Sequence, residues 1–206
     1  LSRFFAFDGV DRSGKTTALE NVHNRLNDLG IATRRLHGGH IGSVRVADFV
    51  GKCPDEVAYM LFWQAHRLLE LTEIKHALDC ENVVLCDRYV LSNLAYNTWT
   101  KLDYDFQWRM TQEYVKRCMF PDIYFVFTLP YELFLKRDDG DVKLDKELFG
   151  KIQNSYIAWA LRLENSRKCK VVFVEGSRSE EAVSNFIMLH VRKELGLEEA
   201  DVRSTI

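Results

Sequence analysis

The segment Gly9-Val10-Asp11-Arg12-Ser13-Gly14-Lys15-Thr16 has residue types and spacing suited to phosphate chemistry. It fits the pattern G-x-x-x-x-G-K-[ST], in which the glycines let successive backbone N–H groups curl around an anion. A helix starting at the end of such a loop adds the positive end of its dipole. Gly9, Asp11, Arg12, Ser13, Gly14, Lys15, Thr16 and Thr17 are therefore candidate contacts to a nucleotide such as ATP. Among them Lys15 would reach the β- and γ-phosphates, and Thr16 would offer its hydroxyl oxygen to Mg²⁺. A second cluster, Asp87-Arg88-Tyr89, directly follows the apolar run Val83-Val84-Leu85-Cys86. Asp87 could hold the water shell of the metal, and Arg88 could clamp a phosphate through its guanidinium fork. Taken alone, an Asp-Arg pair is also what an ordinary ion pair looks like.

For these groups to converge, the chain must place them at the carboxyl ends of neighbouring strands, where open α/β sheets bind ligands. Short β-favouring runs at Phe4 to Asp8, Ile31 to Leu36, Val83 to Asp87, Ile123 to Thr128 and Val171 to Glu175 alternate with longer helical patterns. Those patterns cover Thr16 to Leu29, Asp55 to Leu78, Tyr104 to Met119 and Glu180 to Leu195. The alternation predicts an α/β fold, a mainly parallel five-stranded sheet with helices on both faces. No repeat, low-complexity tract or linker interrupts the chain, so residues 1–206 read as one domain. The polar stretch Arg137-Asp138-Asp139-Gly140-Asp141-Val142-Lys143 reads as a loop between two helices.

Composition narrows the function classes. With 206 residues and 47% hydrophobic content the chain can bury a sizeable core. A formal charge of −2 gives no global basic field for nucleic acid, so any anion site must be local. No apolar stretch approaches the ~20 residues of a membrane span, and the N-terminus lacks a signal-peptide layout. Cys53, Cys80, Cys86, Cys118 and Cys169 are odd in number and lack metal-ligand spacing, which suits reduced thiols and a cytoplasmic location. Because position 1 is leucine, a few residues are expected to precede it.

In the order of its motifs the chain resembles the thymidylate kinases, a family of P-loop nucleoside monophosphate kinases. The resemblance is carried by Phe7-Asp8-Gly9-Val10-Asp11-Arg12-Ser13-Gly14-Lys15-Thr16-Thr17, by Leu61-Phe62-Trp63-Gln64-Ala65-His66-Arg67, and by Asp87-Arg88-Tyr89-Val90-Leu91-Ser92-Asn93-Leu94-Ala95-Tyr96. Pro121-Asp122-Ile123, Pro130 and Lys136-Arg137 follow in the same order. The resemblance implies ATP-dependent, Mg²⁺-assisted phosphoryl transfer to dTMP, catalysed by Arg12, Lys15, Asp87 and Arg88, and a homodimer. It implies Thr16 and Asp87 at the metal, and Arg137 beside the donor nucleotide in a lid spanning about 137–147. Asp11 would meet the acceptor's 3′-hydroxyl, and Arg88 its phosphate. Trp63 would stack on thymine, and Arg67 would donate to its O4. Ser92 and Asn93 would line the base pocket, and Tyr96 would crowd the sugar's 2′ position.

Two departures bear on that expectation. Where the family has an aromatic-proline pair or an Arg-Glu-Pro-Gly-Gly run, this chain has Leu36-His37-Gly38-Gly39-His40, which puts a second arginine contact to the acceptor phosphate in doubt; His37 or His40 could replace it, or each could be an exposed loop residue. The lid is acidic, with Asp138, Asp139, Asp141 and Asp145 against Lys143 and Lys146, which favours Arg12 as the catalytic arginine. A deoxynucleoside kinase, a kinase of other base preference and a nucleotide switch remain as alternative readings. The loop assignment makes one firm demand: Lys15→Ala should abolish turnover and leave the melting temperature nearly unchanged. Retention of more than about a tenth of wild-type kcat would remove Lys15 from the phosphate site.

Overall fold

A computed structural model describes residues 1–38, 40–41, 44–45, 53, 55–97, 102–137, 143–166 and 168–197. Strand β1 (Arg3–Gly9) leads into helix α1 (Lys15–Asp28) and β2 (Thr33–His37). A short hairpin of β3 (His40–Ile41) and β4 (Val44–Arg45) precedes α2 (Glu56–Asp79), β5 (Val83–Asp87), α3 (Val90–Tyr96) and α4 (Tyr104–Arg117). The chain closes with β6 (Ile123–Thr128), α5 (Tyr131–Lys136), α6 (Lys146–Asn165), β7 (Lys170–Glu175) and α7 (Glu180–Glu194). The main sheet has five strands in the order β2-β5-β1-β6-β7, and every neighbouring pair is parallel.

The five predicted strands and four predicted helices are all present, with ends shifted by one or two residues. Helices α3, α5 and α6 and the β3–β4 hairpin had been given no bounds from the sequence. The range 137–147 expected to form a lid overlaps α6 at its end: Asp145 caps that helix by accepting from Leu148 N at 2.8 Å, and Lys146 and Glu147 are helical. Asp138, Asp139, Gly140, Asp141 and Val142 lie outside the described residues, as do Gly39, the His40 side chain and Pro54.

Alternation along β1 divides the core in two. Phe4 and Ala6 face α2, α3, α4 and α6, together with Val84, Cys86, Tyr124 and Val126. Phe5 and Phe7 face α1 and α7, together with Leu85, Phe125 and Phe127. Because both faces are covered, the central strands read as near-continuous apolar runs, and a polar residue such as Asp8 within them must find its partners inside the protein.

Register then aligns the functional ends. Phe7 pairs with Asp87, and Asp87 pairs with His37 on the other side of β5. Gly9 pairs with Phe127, where φ is +142° and an added Cβ would stand 2.4 Å from the Phe127 carbonyl oxygen. No side chain fits there, so the chain can leave the sheet edge-on into the phosphate loop only as glycine. Gly14, at φ +91° with open space around it, carries backbone strain alone. Urea unfolding should accordingly show Gly14→Ala losing about 1 kcal/mol and Gly9→Ala clearly more, about 3 kcal/mol. Equal losses would show that the Phe127 contact yields freely.

Candidate active site

The loop between β1 and α1 wraps back on itself. Lys15, 4% exposed, directs Nζ to the Val10 carbonyl at 2.6 Å and to Ser13 Oγ at 3.4 Å. Burial lowers its pKa from 10.5 to about 8, and Arg88 adds to that lowering against the opposing pull of Asp11, Asp87 and Asp8. Thr16 Oγ1 donates to Asp87 Oδ2 at 2.5 Å across the β1–β5 junction. Asp87 Oδ1 is buried and has no hydrogen-bond partner. A hydroxyl and a carboxylate oxygen together present hard donors of the kind a Mg²⁺ ion accepts. Among the described residues no group of three or more His, Cys, Asp or Glu could hold a metal ion.

These residues line a cleft of about 540 Å³ that gathers Asp11 to Ala18, His37, Asp87, Arg88 and Arg137. Arg137, at the C-terminal end of α5, donates to the Arg12 carbonyl at 3.0 Å and to the Gly176 carbonyl at 2.9 Å. It thereby ties the phosphate loop to the turn after β7. That turn comes close enough that a Cβ on Gly176 would lie 2.4 Å from the Ser13 carbonyl oxygen. Gly176, Arg178, Asn21 and Glu180 also line the cleft and were not singled out from the sequence. Gly176 follows a predicted strand directly, so the rule that ligands gather at carboxyl strand ends could have found it.

The Arg12 guanidinium lies 4.5 Å from the centroid of the Phe134 ring, with Nη1 at 3.4 Å from the Phe134 carbonyl. Both Arg12 and Arg88 hold positive φ, 62° and 67°, so two arginines flank the loop on backbone that β-carbons disfavour. Arg88 Nη2 pairs with Asp11 Oδ1, and Asp11 Oδ2 accepts from the Tyr96 hydroxyl. Burial pushes the Asp11 carboxyl up, but Arg88, Lys15, Tyr96 and Arg12 together outweigh it and hold it below the usual range. His37 Nε2 stands 3.9 Å from Asp87 Oδ2, at the same end of the sheet.

Trp63 and Arg67 lie on one face of α2, the guanidinium 5.8 Å from the indole centroid. Arg67 is 1% exposed, donates to Glu70 Oε2 at 2.8 Å and to Asn93 Oδ1 at 3.4 Å, and keeps its charge because Glu70 outweighs the cost of burial. A Cβ at Gly38 would fall 2.0 Å from Arg67 Nη1 and from the Arg88 carbonyl. The first glycine of the pair after β2 is thus a place where backbone and guanidinium touch. Asn93 Nδ2 donates to the Trp63 carbonyl at 2.9 Å and to the Tyr114 hydroxyl at 3.2 Å. Ser92 is buried and donates to Asp8 Oδ1 at 2.5 Å. The cleft lining does not include Trp63, Arg67, Ser92, Asn93 or Tyr96; they form a second group behind Arg88. Asp8, Tyr59, Glu70 and Tyr156 join that group, and no sequence motif had marked the last three.

The family profile described as Thymidylate kinase matches residues 7–187. The chain belongs to the thymidylate kinase family. It is 31% identical over 161 residues to a protein of Methanococcus aeolicus named "Probable thymidylate kinase", covering 76% of this chain and 79% of that protein. It is 26% identical over 186 residues to a thymidylate kinase of Sulfurihydrogenibium, covering 84% and 89%. The solved structure of a thymidylate kinase from Candida albicans superposes with a TM-score of 0.76 over 96% of this chain and 94% of that one. At 17% identity that likeness bears on the fold, which it shares.

Within this family fold the Lys15 shift has a measurable sign. An arriving phosphate favours the ammonium form, so the occupied lysine titrates higher than the free one at about 8. Binding of metal-free ADP in EDTA should therefore take up a proton above about pH 8, and affinity should fall as the pH rises further. Calorimetry in buffers of different ionisation enthalpy should find uptake approaching about one proton at about pH 9, little at about pH 7, and no such rise in Lys15→Ala.

Proposed function

We propose that the chain is an ATP-dependent kinase that transfers the γ-phosphoryl group of ATP to dTMP, giving dTDP and ADP. The observation that carries this reading is the place of Arg88. Its guanidinium pairs with Asp11 of the phosphate loop and lies 5.7 Å from the centroid of the Tyr96 ring, while its backbone carbonyl approaches Gly38 beside Arg67. A phosphate held by Arg88 would lie beside the loop that holds the donor, which is the positioning an in-line transfer needs. A nucleotide switch would have no use for the aromatic and arginine side chains gathered near that arginine.

On this reading Gly9, Asp11, Arg12, Ser13, Gly14, Lys15, Thr16 and Thr17 hold the donor, with Arg137 closing the loop's outer side. Mg²⁺ would be held by Thr16 and Asp87, the carboxylate oxygen that lacks a partner being free to accept its water shell, and would help neutralise charge on the phosphates. Arg12 leaves the Phe134 ring to meet the transferring group. Trp63 stacks on the base, Arg67 donates to its O4, Asn93 and Glu70 hold Arg67 in place, and Tyr96 excludes a 2′-hydroxyl. Residues 1–206 act as one domain, with a lid between α5 and α6. Leu61, Phe62 and Leu69 leave an apolar stripe exposed on α2, which supports a homodimer. The absence of any helix long and apolar enough to cross a membrane among the described residues accords with work in the cytoplasm.

A coupled assay of ADP release with a panel of nucleoside monophosphates and thymidine tests this. dTMP should give the highest turnover, and Trp63→Ala should raise its KM severalfold while KM for ATP stays nearly constant. If dTMP and dUMP gave no more ADP than water, the reading would be wrong; preference for thymidine would point to a nucleoside kinase.

A further inference from the structure

Tyr156 sits on α6, 1% exposed, and its hydroxyl meets groups from two other parts of the fold. Ser92 Oγ on α3 is 2.8 Å away, and Arg88 Nη1 after β5 is 3.4 Å away. Ser92 Oγ reaches Asp8 Oδ1, at the end of β1, at 2.5 Å. Four side chains from four elements therefore form one run, Arg88 to Tyr156 to Ser92 to Asp8.

The chemistry of the two ends fixes every proton between them. A guanidinium has only donors, so Arg88 donates and the Tyr156 oxygen accepts. Asp8 uses both oxygens as acceptors, Oδ1 from Ser92 and Oδ2 from the Tyr89 N–H at 3.0 Å, which is the pattern of a carboxylate. Burial leaves the Asp8 carboxyl above its ordinary value, a rise that Ser92, Arg67, the Tyr89 N–H and Arg88 offset only in part. With Ser92 committed as donor to Asp8, the Tyr156 O–H has one remaining role, to donate to Ser92 Oγ. The run is polarised from cation to anion, and each bond strengthens the next.

We propose that Tyr156 is a positioning residue for Arg88, acting through its hydroxyl and Ser92, so that the root of the phosphate loop orients the arginine that grips the acceptor phosphate. This deepens the reading of Arg88 given above and rests on it. Asp11 takes Nη2 of the guanidinium and Tyr156 takes Nη1, and holding both nitrogens of a planar fork sets its plane. With Asp11 alone, the fork can swivel about that single contact. The Tyr156 ring packs edge-on to Tyr96 at 6.1 Å, a contact phenylalanine keeps.

Links in series predict a signature that separate packing roles do not. Tyr156→Phe and Ser92→Ala should each lower kcat/KM for the acceptor about tenfold, with the donor KM within about twofold of wild type, and the double variant should match either single one. Tyr124→Phe, which removes another buried hydroxyl but one without a partner, is the control and should behave as wild type. If Tyr156→Phe fails to fold, Ser92→Ala carries the same expectation. Wild-type kinetics in an active Tyr156→Phe enzyme would overturn the proposal, as would multiplying effects in the double variant. So would a Ser92→Ala enzyme that changed its choice among bases while Tyr156→Phe did not, since Ser92 would then act on the base. If the wild type used no monophosphate in the panel, the reading of Arg88 would fall, and this inference with it.

Discussion

Two cations, Lys15 and Arg67, are held out of water in one corner of this molecule with a third, Arg88, half-buried beside them, and the rest of the site is arranged around that cost. A buried charge without a partner is among the most expensive things a fold can contain. Each cation has a different answer here. Arg67 is clamped by Glu70, Arg88 is paired with Asp11, and Lys15 leans on a backbone carbonyl and a serine hydroxyl. Lys15 has the weakest answer, and it is the cation whose pKa falls. A polyphosphate bound in the loop, as proposed, would improve its surroundings more than those of the other two and would tie nucleotide affinity to the protonation of one loop residue.

Those partners can meet because five parallel strands end at one level. Phe7, Asp87 and His37 lie in register across β1, β5 and β2, so the loop after β1 and the Asp87-Arg88 turn after β5 face each other over a few ångströms. Glycines make the closest approaches possible. Gly9 lets β1 turn away past the Phe127 carbonyl, and Gly38 lets the backbone press against the Arg67 guanidinium and the Arg88 carbonyl. Close packing of this kind turns sequence-distant charges into neighbours in a low dielectric, where a hydrogen bond counts for more than it would in water.

Much of this was legible in the residues alone. Apolar runs covered on both faces by helices announce a parallel sheet, since a half-exposed strand would alternate, and so the central strands β1, β5 and β6 could be read directly, while β2 and β7 at the edges are partly exposed. Gly9 to Thr16 could be read because phosphate binding there depends on backbone N–H groups, whose geometry follows from local glycine spacing. Helix α3 was harder. It is seven residues long and wholly buried but for its last residue, so it carries no amphipathic stripe to betray its period. The hairpin β3–β4 is shorter still, with two residues to a strand.

By itself, the sequence determined the fold class and the phosphate loop with its charged residues Asp11, Arg12 and Lys15, because each of these rests on local spacing or on periodicity. The tertiary structure alone decided who partners whom. Asp8 read as a strand residue, yet its separation of 84 positions from Ser92 vanishes in the fold. Tyr156 read as an ordinary position in the final third of the chain, and it stands 68 positions from the arginine it touches. Ser92 read as a candidate lining for the base pocket, and only the fold shows that its hydroxyl bonds to Asp8 and Tyr156. Hydrogen bonds and ion pairs act over about 3 Å while the chain that supplies them runs for hundreds of ångströms. Their partners are therefore set by which helices cross which strand ends, and no local pattern of residues encodes that.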